Sequence, residues 1–135
     1  MNQNFIELGL EDVIVQAVDQ LGFEKPSPVQ EKCIPIVLNE DTDLVALAQT
    51  GTGKTASFGL PLIQKIDNDN RKTQALVLAP TRELCIQITA DLNDYARFKK
   101  TNVVAVYGGA SITDQAKKLK RGAQIIVATP GRLQD

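Results

Sequence analysis

The chain has 135 residues, 43% of them hydrophobic and 23% charged, with a net charge of −1. These are the values of a single ordinary globular domain, and no apolar run approaches the roughly 20 residues that span a bilayer. With no histidine, and with Cys33 and Cys85 as its only cysteines and neither in a metal-ligand spacing, no zinc site is expected.

The opening MNQNFIEL lacks the basic start and apolar stretch of a signal peptide, so a cytoplasmic protein with two buried, reduced thiols is expected. Charge is unevenly spread. Residues 1–50 carry nine acids and two bases, and residues 51–135 carry seven acids and thirteen bases. The basic second part suits an anionic partner, and it equally suits solvated helix faces such as Lys117, Lys118, Lys120 and Arg121.

In chain order, an isolated aromatic, Phe5, precedes a helical stripe of Ile14, Val18 and Leu21. The segment Gly22-Phe23-Glu24-Lys25-Pro26-Ser27-Pro28-Val29-Gln30 leads into a second stripe, Val29, Cys33 and Ile36 with Val37 beside them. Leu44–Leu47 is a short apolar run and reads as a buried strand.

That strand runs into Ala48-Gln49-Thr50-Gly51-Thr52-Gly53-Lys54-Thr55. The spacing is that of a phosphate-cradling loop, with Ala48 in place of the usual first glycine. Gly51 and Gly53 let the backbone curl and point N–H groups inward. Lys54 can reach the outer phosphates, and the Thr55 hydroxyl can hold Mg²⁺. The helix that follows aims its positive end at the anion. The loop specifies a triphosphate but leaves base and reaction open, since kinases, transporters and GTPases share it.

A second strand is expected at Ala75–Ala79, ending in Pro80-Thr81-Arg82-Glu83-Leu84, where Thr81 can cap the helix marked by Leu84, Ile88, Leu92 and Tyr95. A third, Val103–Tyr107, ends in Gly108-Gly109, and the stripe Ile112, Ala116 and Leu119 follows it. A fourth, Ile125–Ala128, ends in Thr129-Pro130-Gly131-Arg132, a cap followed by a proline suited to a first helical position. Strands alternating with helices predict an α/β fold, a parallel sheet covered by helices on both faces. Ligands on such sheets bind beyond the carboxyl ends of the strands, so these loops are the places for chemistry. Each strand end beside a helix start is also a possible anion site, or plain capping and turn chemistry.

The segment from Gly22 to Gln30 resembles, nearly letter for letter, the Q motif of DEAD-box RNA helicases, and Phe5, seventeen positions before Gly22, matches that family's upstream aromatic. Taken alone, Gln30 reads as a helix-surface residue and Phe23 as a core residue. The resemblance implies that Phe23, Lys25 and Gln30 belong to the nucleotide site. A glutamine amide then matches the N6 and N7 edge of adenine, and the Phe23 ring offers a stacking face. Many helicases carry alanine where Ala48 stands. Pro80-Thr81-Arg82, Gly108-Gly109 and Thr129-Pro130-Gly131-Arg132 are similar to the family's PTREL motif, glycine doublet and TPGR motif, in the family's order. In that family these contact RNA phosphates and sugars, which implies sequence-independent, salt-sensitive binding.

The implied fold is RecA-like, with residues 1–135 forming the front of a first helicase domain that binds ATP and Mg²⁺. The implied parent activity is ATP hydrolysis coupled to RNA strand separation. The family's Asp-Glu-Ala-Asp and Ser-Ala-Thr motifs and its second RecA-like domain with its arginine finger do not occur in the 135 residues, so this stretch alone is expected not to hydrolyse ATP. Leu44–Leu47 would then lack the strand that pairs beside it, and self-association through that edge is expected. A DNA helicase of the same superfamily and a non-hydrolysing nucleotide-binding module remain alternatives. The Q and TPGR motifs argue against a small-molecule kinase.

Overall fold

The computed structural model describes residues 1–47, 53–109 and 111–133. The chain divides into two compact units, Met1–Lys65 with Asp94–Lys99, and Ile66–Asn93 with the chain from Lys100 onward.

The first unit is helical. It holds α1 (Gln3–Ile6), α2 (Asp12–Gln20), α3 (Pro28–Asn39) and α4 (Lys54–Lys65). Phe5, Ile14, Val15, Val18, Ile34, Leu60 and Ile63 have no exposed surface and form its core. The upstream aromatic packs there: the Phe5 and Phe23 ring centroids lie 6.2 Å apart, and Phe23 meets Tyr95 edge-on at 6.5 Å. Pro28 opens α3 and Ser27 caps it, so the fixed φ of proline and a hydroxyl acceptor set where this helix begins. Lys99 Nζ donates to the carbonyls of Ile63 and Gln64 at 2.7 and 2.8 Å, satisfying two acceptors that the end of α4 leaves open.

The second unit is a parallel α/β layer. Its strands are β1 (Ala75–Leu78), β2 (Val103–Val106) and β3 (Ile125–Ala128), with helices α5 (Arg82–Tyr95), α6 (Ile112–Lys120) and α7 (Pro130–Leu133). The order is β1-β3-β2, and both pairings are parallel. The central strand β3 is the most apolar-buried, with Ile125, Val127 and Ala128 fully enclosed. Leu78 and Val106 both pair with Ala128, so all three strands end in one row. At the opposite end, buried Gln124 staples the sheet. Its Oε1 accepts from the Asn102 N–H at 2.9 Å, and its Nε2 reaches the carbonyls of Asp67, Asn68 and Asn70.

The expected α/β class and parallel sheet are present, and several finer expectations are corrected. Leu44–Leu47 is not a strand: no described residue pairs with it, and Leu44, Val45 and Leu47 are 40%, 88% and 95% exposed. A strand without a ladder partner gains neither hydrogen bonds nor burial. The stripe in α5 is set by Cys85, Ile88 and Leu92, whereas Leu84 is exposed. The Thr81 hydroxyl accepts from the Leu84 N–H at 3.2 Å and fixes the helix start, and at about 100° per residue this turns Cys85 inward. In α6 the inward residue is Gln115, while Ile112 is half exposed and Ala116 is exposed. Ile112 and Ala116 instead line an open groove of about 180 Å³ together with Leu119, Val106 and Ile126. The strands expected at Ala75–Ala79 and Val103–Tyr107 each stop one residue earlier, although Ala79 continues the ladder by donating to the Ala128 carbonyl at 2.9 Å.

Candidate functional site

In the first unit the Q-like segment and the head of α4 meet. Gln30 is 5% exposed. Its Oε1 accepts from the Ser27 N–H at 3.0 Å, and its backbone N–H reaches Ser27 Oγ at 3.4 Å, a reciprocal capping box. Its Nε2 donates to the carbonyl of Gly53 at 3.3 Å. Gly53 has φ +80°, and a Cβ there would collide with Gln30 Nε2 and approach Ser27 Oγ. Glycine is therefore required on two counts, a left-handed backbone and a neighbour already in the space. One bond on each side of the Gln30 amide is used inside the protein. Among the described residues, the second lone pair of Oε1 and the second hydrogen of Nε2 have no further partner.

Lys54 and Thr55 form the first turn of α4, where helix N–H groups lack intrahelical partners. Lys54 is exposed, Thr55 is partly so, and Lys54 borders a cavity of about 290 Å³ walled by Val29, Cys33, Val37 and Phe58. Ala48, Gln49, Thr50, Gly51 and Thr52 lie outside the described residues. Phe23 is partly exposed, with its ring held by Phe5 and Tyr95, and Lys25 is exposed. Among the described residues no group of three or more metal-ligating side chains gathers. The Thr55 hydroxyl, in the first turn of α4, is an oxygen donor of the kind Mg²⁺ accepts alongside phosphate oxygens and water.

In the second unit the row of strand ends places three loops side by side: Pro80-Thr81-Arg82 after β1, Thr129-Pro130-Gly131-Arg132 after β3, and Gly108-Gly109 after β2. Adjacent parallel strands are about 4.8 Å apart, so the outer loops stand roughly 10 Å from each other. Arg82 crosses that distance. Its guanidinium carbon lies 5.3 Å from the centre of the Tyr107 ring, a cation–π contact. Gly109, at φ +84°, leaves room for it, since a Cβ there would stand 2.9 Å from Arg82 Nη1. Gln115 Nε2 donates to the Tyr107 carbonyl at 3.0 Å and pins the turn that carries this ring. Pro130 opens α7, as its fixed φ leads one to expect, and Arg132 borders the groove lined by Ile112 and Gln115. Thr81 caps α5.

Three residues at these sites were not singled out from sequence. Tyr107 is the platform for Arg82 and could have been found as an aromatic directly before two glycines. Gln115 supports it, and its signal was a polar residue inside an apolar stripe. Asn2 had no signal: its Nδ2 donates to the carbonyls of Phe23 and Glu24 at 3.1 and 2.6 Å, which ties the chain start to the Q-like turn.

A parallel α/β sheet with a Gly-Lys-Thr turn heading a helix, and with loops gathered at the strand ends, belongs to the RecA-like class of nucleotide-binding domains. The family model for DEAD/DEAH box helicases matches residues 27–135, and the chain belongs to that family. It is 52% identical over 131 residues to the ATP-dependent RNA helicase CshA of Listeria monocytogenes, covering 97% of this chain and 25% of that protein. Among solved structures it is similar to the RNA helicase Prp28 of Chaetomium thermophilum bound to ADP. That likeness has a TM-score of 0.83 and 45% identity and covers 94% of this chain and 32% of that one. It is also similar to Dbp5 of S. cerevisiae bound to RNA and ADP BeF3, with a TM-score of 0.85, 31% identity, and coverage of 96% and 32%. The chain thus spans about a quarter of the length of the curated relative and a third of each structure.

Proposed function

We propose that residues 1–135 are the ATP-binding front of the first RecA-like domain of an ATP-dependent RNA helicase, one that couples ATP hydrolysis to remodelling of RNA duplexes. The observation that carries this reading is the bond from Gln30 Nε2 to the Gly53 carbonyl, which joins the adenine-reading segment to the phosphate loop. In this reading Phe23, Lys25 and Gln30 face the base, while Ala48 to Gly53 cradle the phosphates. Lys54 neutralises the outer phosphates, and Thr55 offers its hydroxyl to Mg²⁺. The metal, when bound, screens charge on the phosphate oxygens. Arg82, Gly109, Thr129 and Arg132, with Pro80, Thr81, Gly108, Pro130 and Gly131 shaping their loops, hold the RNA backbone. Contacts of this kind ignore base sequence and weaken with salt. Two buried free cysteines fit a reducing cytoplasm, and no described helix is long and apolar enough to cross a membrane.

The test is calorimetry of ADP and GDP against the 135-residue chain. ADP is expected to bind detectably better, since a bidentate base contact is worth about 1–3 kcal/mol. Equal affinities would remove Gln30 and Phe23 from the base site.

A further inference from the structure

The amino-terminal end of the sheet carries a feature that the nucleotide and RNA loops do not use. A cleft of about 350 Å³ opens there, lined by Asn93, Asn102, Lys118, Arg121 and Gly122 and floored by Thr101, Val103 and Val104. No carboxylate lines it. Among the described residues, the side chains of Asn93, Asn102, Lys118 and Arg121 make no hydrogen bond or ion pair, and all four are exposed. The Gly122 turn, at φ +105°, packs closely on the neighbouring stretch of chain: a Cβ on Gly122 would sit 3.4 Å from the carbonyl oxygen of Arg71 and 3.5 Å from its Cβ.

The frame behind these donors is fixed. The Asn102 N–H donates to Gln124 Oε1 at 2.9 Å, and its carbonyl accepts from the N–H groups of Gln124 and Ile125 at 3.0 and 3.1 Å. The Thr101 hydroxyl is spent on Asn68 Oδ1 at 3.0 Å. Unspent cationic and amide groups therefore line a cleft whose Asn102 backbone and Thr101 hydroxyl are already bonded within the protein. Lysines in the last turn of α6 also stabilise the helix through its dipole. That role accounts for neither the two free asparagine amides nor the missing carboxylates.

The geometry points to a second anion site in this cleft, for a phosphate-bearing ligand held by Lys118 and Arg121 with Asn93 and Asn102 as amide donors. It is separate from the RNA loops. Val103 at the cleft and Val106 at the glycine turn are opposite ends of β2, about 10 Å apart at 3.3 Å per residue. A guanidinium and an ammonium among neutral amides suit a doubly charged phosphate, and a hard divalent cation finds no oxygen ligand with charge there. The ligand is either a free phosphorylated anion or a phosphate of a longer RNA that wraps past the strand-end loops.

The experiment is amide-resolved NMR titration of the whole chain with pyrophosphate and, separately, with a single-stranded RNA of about twelve nucleotides. Pyrophosphate is expected to shift the Gly122 and Asn102 backbone amides and the Asn93 side-chain amide saturably. The Lys118→Ala/Arg121→Ala variant should weaken that binding at least tenfold, while Arg82→Ala should leave it unchanged. Both substituted side chains are exposed, and an otherwise unchanged spectrum verifies the fold. If RNA is the natural source, the double variant lowers RNA affinity and flattens its salt dependence by about 1.4 in log–log slope, the value for two lost contacts to a single strand. If a small anion is the source, pyrophosphate binding is lost and RNA affinity stays the same. Absence of saturable shifts with both ligands, or identical shifts in the double variant, overturns the site.

Discussion

The joint between the two halves of the proposed nucleotide site can be tested without any nucleotide. Gly53→Ala places a methyl group at φ +80°, against Gln30 Nε2. The left-handed backbone costs about 1–2 kcal/mol for a residue with a side chain. Displacing the Gln30 amide forfeits its bond to the Gly53 carbonyl, a further ~0.5–1.5 kcal/mol. The structure supplies an internal control, because Gly22 has φ +82° with nothing within 4 Å of a built Cβ. Gly22→Ala should therefore show the backbone cost alone. Gln30→Ala removes the obstructing amide and, with it, the bonds to Ser27 and Gly53. In urea unfolding, the Gly53→Ala/Gln30→Ala double variant should be less destabilised than the sum of the two singles by about 1 kcal/mol, because the lost Gln30 bond is counted once instead of twice. Gly22→Ala should add to Gln30→Ala with no coupling. If the Gly53 and Gln30 costs add to within about 0.3 kcal/mol, the two residues do not touch and the joint is misplaced.

Other outcomes follow from the same geometry. Arg82→Ala should weaken binding of single-stranded RNA and lower the log–log salt slope by roughly 0.7, while Tyr107→Leu, which removes only the ring under Arg82, should cost about 0.5–1 kcal/mol of that binding. Filter binding at several salt concentrations reads both, and an unchanged slope in Arg82→Ala would take the residue away from phosphate. Burial raises the Cys85 thiol above its ordinary value of 9.0, against a smaller lowering by a backbone hydrogen bond. The unfolded chain releases this proton more readily, so the stability Cys85 contributes is intact below the ordinary thiol value and is lost as pH rises above it. Urea midpoints at successive alkaline pH values should fall less steeply in Cys85→Ala than in the wild type. Val45 and Leu47 are 88% and 95% exposed, so the wild-type chain should associate as concentration rises, and Leu47→Asp should suppress this in light scattering. A strictly monomeric wild type would remove that expectation.

Legibility from sequence followed how local each signal was. The boundaries of β3 and the start of α7 were readable, because a β-branched run and a first-turn proline act within a few residues. Leu44–Leu47 failed for the opposite reason. A strand is a property of its neighbour, and four apolar residues carry no information about whether a partner lies alongside. The α5 stripe held at Ile88, Leu92 and Tyr95 and failed only at its first residue, where Cys85 is buried in place of Leu84.

The candidate sites show the same division. Gly53 and Gln30 are twenty-three positions apart, and each carried its own motif. What sequence could not supply was that a hydrogen bond joins them, which ties the Q-like segment to the residue directly before α4. Arg82 was legible as a cation near a helix start, but its present aim was not. Beyond β3 it rests on Tyr107 and over Gly109, on the far strand. That placement gives the glycine at 109 a second purpose. The space beside it is taken by the Arg82 guanidinium, so any side chain there would disturb two loops together, the one after β1 and the one after β2.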